Sequence, residues 1–398
     1  MIHIETFKSP IIEPKKRHST ATLVLLVVFT FLLTMLLTIF ALGQILGMTG
    51  GLWGESLRFH QARALIASRY VGEVADESYL TDRAISAVVA SLGDPWSRFL
   101  TAEQHEAHLR SLDNRQQGLG IFFYRAEDTN ELIIAGVAPE SPAYLADLQP
   151  GDVIATIDGQ STTEMDSETI RAIIHEHYGL ILQLGLREED EIRIVPVDIH
   201  GFYVHPVTFE MLEDEIGYIQ ISNFEHASGR ESIDAIEYLL EEGAKGLIFD
   251  LRYNPGGRVN ELLLVLDHLL PEGELFVFAD YSGVETIRYA GADYLYMPMV
   301  VLINEHSASA AEYFAAVLKE REWATIVGMP TMGKGRSQMM FPLTGGGAMV
   351  LSISRYLTPN RVDLYEAGGV TPDIRVVNRP GGPDLQLQRA IAQLTTRE

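Results

Sequence analysis

The 398-residue chain has no cysteine, which excludes disulfide cross-links, thiolate catalysis and cysteine-based zinc sites together. It is also short of positive charge: 30 lysines and arginines stand against 54 aspartates and glutamates, for a formal net charge of −24. Such a surface repels phosphate backbones, so nucleic acid is not an expected partner, and proteins or peptides fit better. One stretch lacks charge altogether. No Asp, Glu, Lys or Arg occurs between His18 and Glu55, and residues 23–42 are almost wholly apolar.

That run predicts one transmembrane helix over residues 21–43. Lys8, Lys15, Lys16 and Arg17 precede it, so the positive-inside tendency makes residues 1–20 a cytoplasmic head. The working part of the chain is then extracytoplasmic, on the periplasmic or cell-surface side. A cleaved signal peptide is the alternative, with Ala41 and Gly43 as small residues ahead of a cut, but the apolar stretch outruns an ordinary h-region. A soluble core helix would show a polar face, which this segment does not.

With 47% hydrophobic residues the remainder can bury a substantial core, and its length predicts two or three structural units. Residues 55–112 read as a helical N-terminal segment, with apolar positions Leu57, Ala64 and Leu65, then Ile85, Val88, Val89 and Leu92, and a break at Gly93, Asp94 and Pro95. Packing is its expected role. His105 and His108 are one residue short of the spacing that sets two imidazoles on one helical face, and His175 and His177 are two apart, so no metal is expected. Residues 117–207 change to short strands with turn signals, among them Gly-Leu-Gly-Ile at 118–121, Ser-Pro-Ala at 141–143 and Gly-Asp-Val-Ile at 151–154. Residues 208–378 alternate strands and helices: strands at 216–221, 246–251, 299–303 and 325–328, helices at 231–242, 259–270 and from about Ser309, and a closing hairpin around the glycines at 345–347. Residues 379–398 read as a C-terminal helical tail.

Three segments of this last part collect small, polar and glycine residues at the carboxyl ends of apolar strands, where α/β folds build their sites. They are DLRYNPGG at 250–257, NEHSASAAE at 304–312 and GMPTMGKG at 328–335, with Gln338 after the last. Taken singly each has a bland reading, since a serine ahead of an alanine-rich helix is usually a cap and a Gly-Lys-Gly loop is usually a surface turn. Residues 328–334 also satisfy GxxxxGK, the phosphate-cradling loop. Position 335 is Gly instead of Ser or Thr, however, and 338–343 look like a strand where a P-loop opens a helix.

Taken together and in this order, the motifs resemble the carboxyl-terminal processing peptidases, S41-type serine peptidases with a PDZ domain, and the likeness runs from about Glu55 to the C-terminal region. The resemblance implies an α/β fold with a crotonase-like catalytic domain, an inserted or preceding PDZ β-barrel, the helical segment and the single membrane helix. It assigns Ser309 as nucleophile, Lys334 as base and Gln338 as the residue that orients the lysine, the interval of 25 positions from Ser309 to Lys334 being usual in the family. Ala310 and Gly257 would supply the oxyanion N–H groups, with glycine at 257 expected because a side chain there would obstruct the acyl group. A lysine accepts the serine proton only when neutral, which requires burial to lower its pKa from about 10.4. Met332, Met339 and Met340 are expected to surround it.

Gly118, Leu119, Gly120 and Ile121 match the carboxylate loop of a PDZ domain, where backbone N–H groups converge on a terminal carboxylate. A plain strand turn is the other reading of these glycines. Ser307 is a second hydroxyl and His306 a rival base, but only Ser309 and Lys334 have the spacing; Asp250 and Arg252 are expected to pair structurally. The expected partners are proteins or peptides with exposed C-termini and, through the N-terminal helix, a membrane. No cofactor is expected, and nothing in the sequence speaks against a homo-oligomer. A noncatalytic peptide-binding scaffold is the rival from another functional class, and the intact Ser309, Lys334 and Gln338 argue against it.

Overall fold

The computed structural model describes residues 20–48, 52–73, 76–126, 128–189, 191–379 and 381–396. The expected cytoplasmic head, with Lys8, Lys15, Lys16 and Arg17, lies outside them. Two compact units divide between Thr81 and Asp82.

The first unit carries the helix Thr20–Met48, whose stretch Leu23–Ala41 has a mean hydropathy of 2.9 with none of it buried. It is long and apolar enough to cross a membrane. The three threonines of the stretch Leu23–Ala41 turn their hydroxyls back onto the helix: Thr30 Oγ1 donates to Leu26 O and Thr34 Oγ1 to Thr30 O, both at 2.9 Å, and Thr38 Oγ1 donates to Thr34 O at 2.7 Å. No hydroxyl of the three needs an outside partner, as an apolar surrounding demands. The helix Leu52–Arg69 follows, with Glu55 in its first turn and Arg69 in its last, the order its dipole favours.

In the second unit the expected helical segment is interrupted. After the helix ending at Ala90 the chain turns at Gly93, forms the strand Arg98–Leu100, and only then enters the helix Ala102–Leu112. Thr101 and Gln104 cap that helix reciprocally. Next, Arg115–Gln117 pairs antiparallel with Gly201–Tyr203, so the two ends of the intervening module are zipped into a two-stranded stem. The module is a mainly antiparallel sheet in the order Ile121–Arg125, Leu132–Val137, Val153–Ile157, Ile181–Glu188, Glu191–Asp198, with the helix Ser167–Glu176 beside it. Its core gathers Leu132, Ile134, Leu148, Ile154, Ile170, Leu182 and Leu184, each no more than 1% exposed.

The remaining residues build two sheets. The larger runs Val207–Leu212, Ile216–Ile221, Gly246–Asp250, Met299–Ile303, Thr325–Gly328, Ile374–Arg375, parallel after its first strand. Its central strands are buried on both faces, which is why they read as continuous apolar runs. One face packs on the helices Ser228–Glu241, Val259–Leu269 and Ala310–Glu320. The other is covered by the helix Leu385–Thr395, through Leu387, Ala390, Ile391 and Leu394. The expected C-terminal tail is therefore a structural layer. The smaller sheet joins Gly273–Asp280, Glu285–Ala290, Arg336–Pro342 and Ala348–Leu357, and recruits Arg98–Leu100 from before the module, Arg98 opposite Val350.

Candidate active site

Ser309 stands where the strand Met299–Ile303 has ended and the helix Ala310–Glu320 begins, at φ 57° and ψ −117°. A non-glycine residue holds that backbone only under constraint. Gly256 allows the turn to close, since a Cβ there would lie 2.7 Å from Ser309 Cβ and 2.9 Å from the Ala310 nitrogen. Gly257 is required for a different reason from the one expected: its φ is 151°, and a Cβ would lie 2.3 Å from the Phe224 backbone carbonyl. Among the described residues neither Gly257 N–H nor Ala310 N–H donates a hydrogen bond, so both donors are free.

Gly257, Ser309, Lys334 and Gln338 line one cleft of ≈ 640 Å³, with Arg98, His108, Glu225, Arg258 and Tyr356. Burial pushes the Lys334 ammonium below the ordinary lysine pKa, and Arg98 pushes the same way; Glu312 and Glu225 oppose them. The half-buried Met340 lines the same cleft, but Met332 and Met339, 45% and 49% exposed, are not its shelter. The indole of Trp96 is, with Lys334 Nζ 5.3 Å from the ring centroid. Burial, then Arg98, likewise lowers the pKa of His108, and burial lifts Glu225 to about 7. Glu225 forms an ion pair with Arg258 at 3.3 Å, but its Oε2 is buried and has no hydrogen bond.

Gln338 reaches the cleft but does not make its expected contact. Its Nε2 donates to Arg336 O at 2.5 Å, and among the described residues neither it nor Ser309 Oγ is hydrogen-bonded to Lys334 Nζ. A bulge between Ser337 and Gln338 re-aims the side chain. Ser309 Oγ is met instead by the buried Tyr356, whose Oη lies 3.0 Å from it and also against the Lys334 carbonyl, so that one phenolic proton serves two contacts.

Glu312, fully buried, accepts from Ser309 N (2.8 Å), Thr331 Oγ1 (2.5 Å), Gly333 N (2.6 Å) and Lys334 N (2.7 Å). The N–H groups that a P-loop would aim at phosphate thus face a carboxylate, and the strand Arg336–Pro342 follows where a P-loop needs a helix. Ser307 is buried and donates to Leu251 O at 2.8 Å. His306 stacks on Tyr253, centroids 5.2 Å apart, and does not line the cleft. Arg252 pairs with Asp250 at 2.6 Å and Asp384 at 2.8 Å.

Sequence reasoning did not find Glu312, Tyr356, Trp96 or Arg98. Ser-x-x-Glu over 309–312 is a legible capping signature, but nothing local tells that its glutamate also holds the lysine loop.

In the module between the stem strands, residues 118–123 line a groove of ≈ 540 Å³ with Arg171, Ile174, His175 and Tyr178. Gly120 has φ 77°, and a Cβ would lie 2.1 Å from Ser141 Cβ, so close packing requires this glycine. Ile121–Arg125 is an edge strand beside the groove. Among the described residues no group of three or more His, Asp or Glu is arranged to hold a metal.

The profile of peptidase family S41 matches residues 215–376, and that of the PDZ domain residues 133–181. The chain is 30% identical over 354 residues to a carboxyl-terminal-processing protease of Synechocystis sp., covering 84% of this chain and 82% of that one. It is 29% identical over 357 residues to the carboxy-terminal processing protease CtpA of Bacillus subtilis, covering 88% and 76%. Among solved structures, a putative S41 protease from Bacteroides fragilis superposes with a TM-score of 0.58 at 19% identity, over 82% of this chain and 92% of that one, which supports the fold.

Proposed function

The chain belongs to the carboxyl-terminal-processing proteases, serine-type peptidases of family S41 with a PDZ domain, and from that premise we propose that it cleaves protein substrates with a Ser309/Lys334 dyad after its PDZ domain captures an exposed C-terminus. One observation carries the reading: Ser309 shares its cleft with a lysine whose pKa burial pushes below the ordinary value, beside two free backbone donors. Lys334 takes the hydroxyl proton as Ser309 Oγ attacks the scissile carbonyl, and the N–H groups of Gly257 and Ala310 receive the developing oxyanion. The protonated lysine returns its proton to the leaving amine. Water then resolves the acyl-enzyme by the same route in reverse. Gln338 acts on the lysine once its amide leaves Arg336 O. The carboxylate of the substrate binds the loop Gly118, Leu119, Gly120 and Ile121, and its strand adds to the edge strand Ile121–Arg125.

We assign residues 117–207 to the PDZ domain, with a barrel-like closure, and 208–378 to a crotonase-like catalytic domain that residues 98–100 complete. Residues 21–43 are read as an uncleaved anchor that leaves both domains extracytoplasmic; the apolar span supports this. Right-side-out membrane vesicles carrying the full chain, given an unstructured protein on the outside, test the dyad and the orientation together. Cleavage by wild type and none by Ser309→Ala or Lys334→Ala is expected. Activity in Lys334→Ala would move the base elsewhere, and wild-type activity that appears only after vesicle lysis would reverse the orientation.

A further inference from the structure

Ser309 and Lys334 sit on different elements, yet two buried side chains touch both. Glu312 Oε2 accepts the backbone N–H of Ser309 at 2.8 Å and that of Lys334 at 2.7 Å. Tyr356 Oη lies within hydrogen-bond distance of Ser309 Oγ, at 3.0 Å, and of the carbonyl oxygen of Lys334, with one phenolic proton to serve the two. Between them they grip the backbone N–H and the reacting oxygen of one residue, and both backbone polar groups of the other.

The grips are themselves held. Glu312 Oε1 is occupied by Thr331 Oγ1 at 2.5 Å and Gly333 N at 2.6 Å, and Thr331 Oγ1 accepts Val370 N at 2.7 Å. The four donors fill the acceptor capacity of the carboxylate. The Tyr356 ring is wedged against Phe276 and Tyr313, with centroids 5.7 and 5.9 Å away. The left-handed backbone of Ser309 needs an external constraint, and the Glu312 bond to its N–H supplies one.

We propose that Glu312 and Tyr356 are positioning residues that together set the geometry between Ser309 and Lys334, Glu312 through the backbone of both and Tyr356 through the nucleophile's oxygen and the lysine's carbonyl. This rests on Ser309 and Lys334 being nucleophile and base. A shift of about an ångström in such a pair costs on the order of a hundredfold in rate, so loss of either grip falls on kcat and spares KM.

The test uses the full chain in detergent micelles, with Tyr356→Phe, which keeps the ring and its packing, and Glu312→Gln, which keeps the shape. Two rates are read: turnover of an unstructured protein, and labelling by a small fluorophosphonate, in which Ser309 Oγ bonds to phosphorus, its proton passes to the base and fluoride leaves. We expect both rates to fall together by about ten- to a hundredfold with KM unchanged. The double variant should lose less than the product of the single factors, because both act on one geometry. Wild-type rates, faster labelling, a loss confined to KM, or independent multiplication of the two losses overturns the proposal. If either variant fails to fold, Thr331→Val, which removes one donor to Glu312, serves in its place: a smaller fall in kcat supports the clamp and an unchanged kcat overturns it. Ser309→Ala separates the two readings, since labelling that survives in it removes Ser309 as nucleophile whatever the clamp does.

Discussion

Lys334 lies between groups that push its proton affinity in opposite directions, and each can be removed separately. Arg98 lines the same cleft and favours the neutral amine, while Glu225, itself raised to about 7 by burial, favours the ammonium as it ionises. The other charged or titratable groups facing the lysine are Glu312, His108, Arg258, Arg336 and Tyr356. In the proposed dyad activity requires the neutral amine, so it falls as pH drops through the lysine's lowered pKa. Arg98→Gln should move that acid limb of the kcat/KM profile to higher pH, and Glu225→Gln should move it to lower pH. The Arg98 effect should shrink in high salt, because Arg98 is exposed and screened. Identical limbs in all three proteins would remove these charges from the base's environment. Ser309 and Lys334 were legible in the sequence because each follows an apolar strand within a local glycine and small-residue pattern. Trp96 and Arg98 were not, since they reach the lysine only through the antiparallel pairing of Arg98–Leu100 with Ala348–Leu357, some 250 positions away, and Tyr356 was not because it arrives through the pairing of Ala348–Leu357 with Arg336–Pro342.

Met299–Ile303 and Thr325–Gly328 appear at their expected limits because their buried apolar runs stop at Asn304 and Gly328, and Ile216–Ile221 does so although Gln220 within it is exposed. Glu285–Ala290 went unread, being mostly exposed and without apolar alternation. The C-terminal helix was legible as a helix but not as a layer, because an ion cluster from a loop over a hundred positions earlier joins its apolar contacts at the docking site. Arg252 holds the fully buried Asp250 and reaches Asp384 at the N-cap of Leu385–Thr395, and Tyr218 Oη donates to Asp250 at 2.7 Å. Arg252→Met leaves Asp250 without its cation, a loss of about 3–5 kcal/mol, which thermal melting would register as a clear fall in midpoint. An unchanged midpoint would mean that the helix docks by apolar contact alone. Burial works against the Asp384 carboxylate, but the bonds from Arg252 and Leu387 N hold its pKa near about 2, below the ordinary 3.8. The stabilisation from Asp384 is therefore present above pH 3.8 and is lost as pH falls toward 2.

At the scale of the molecule, the stem sets the PDZ domain apart from the rest of the chain in a way that can be cut. Arg115–Gln117 and Gly201–Tyr203 lie side by side, with Gln117 opposite Gly201, so the PDZ domain leaves and rejoins the chain at a single point. Below the stem Asn114 is tied to the catalytic part on its own account, its Nδ2 donating to His226 O at 2.8 Å and its Oδ1 accepting from Asn223 Nδ2 at 2.9 Å. Replacing residues 118–200 by a tight Asn-Gly turn should therefore close the stem as a hairpin and leave the cleft standing. The measurement is cleavage of one unstructured protein with a free or an amidated C-terminus by the full and the shortened chain. If the PDZ loop reads the carboxylate, amidation slows the full chain and makes no difference to the shortened one, which still cleaves both forms. If amidation slows both chains equally, the carboxylate is read in the catalytic cleft, where Arg98 has no partner among the described residues and is free to bind an anion. A shortened chain that folds but cleaves neither form would mean that the PDZ domain is needed to bring Ser309 and Lys334 into reach, and that the bonds through Asn114 carry its influence to the cleft.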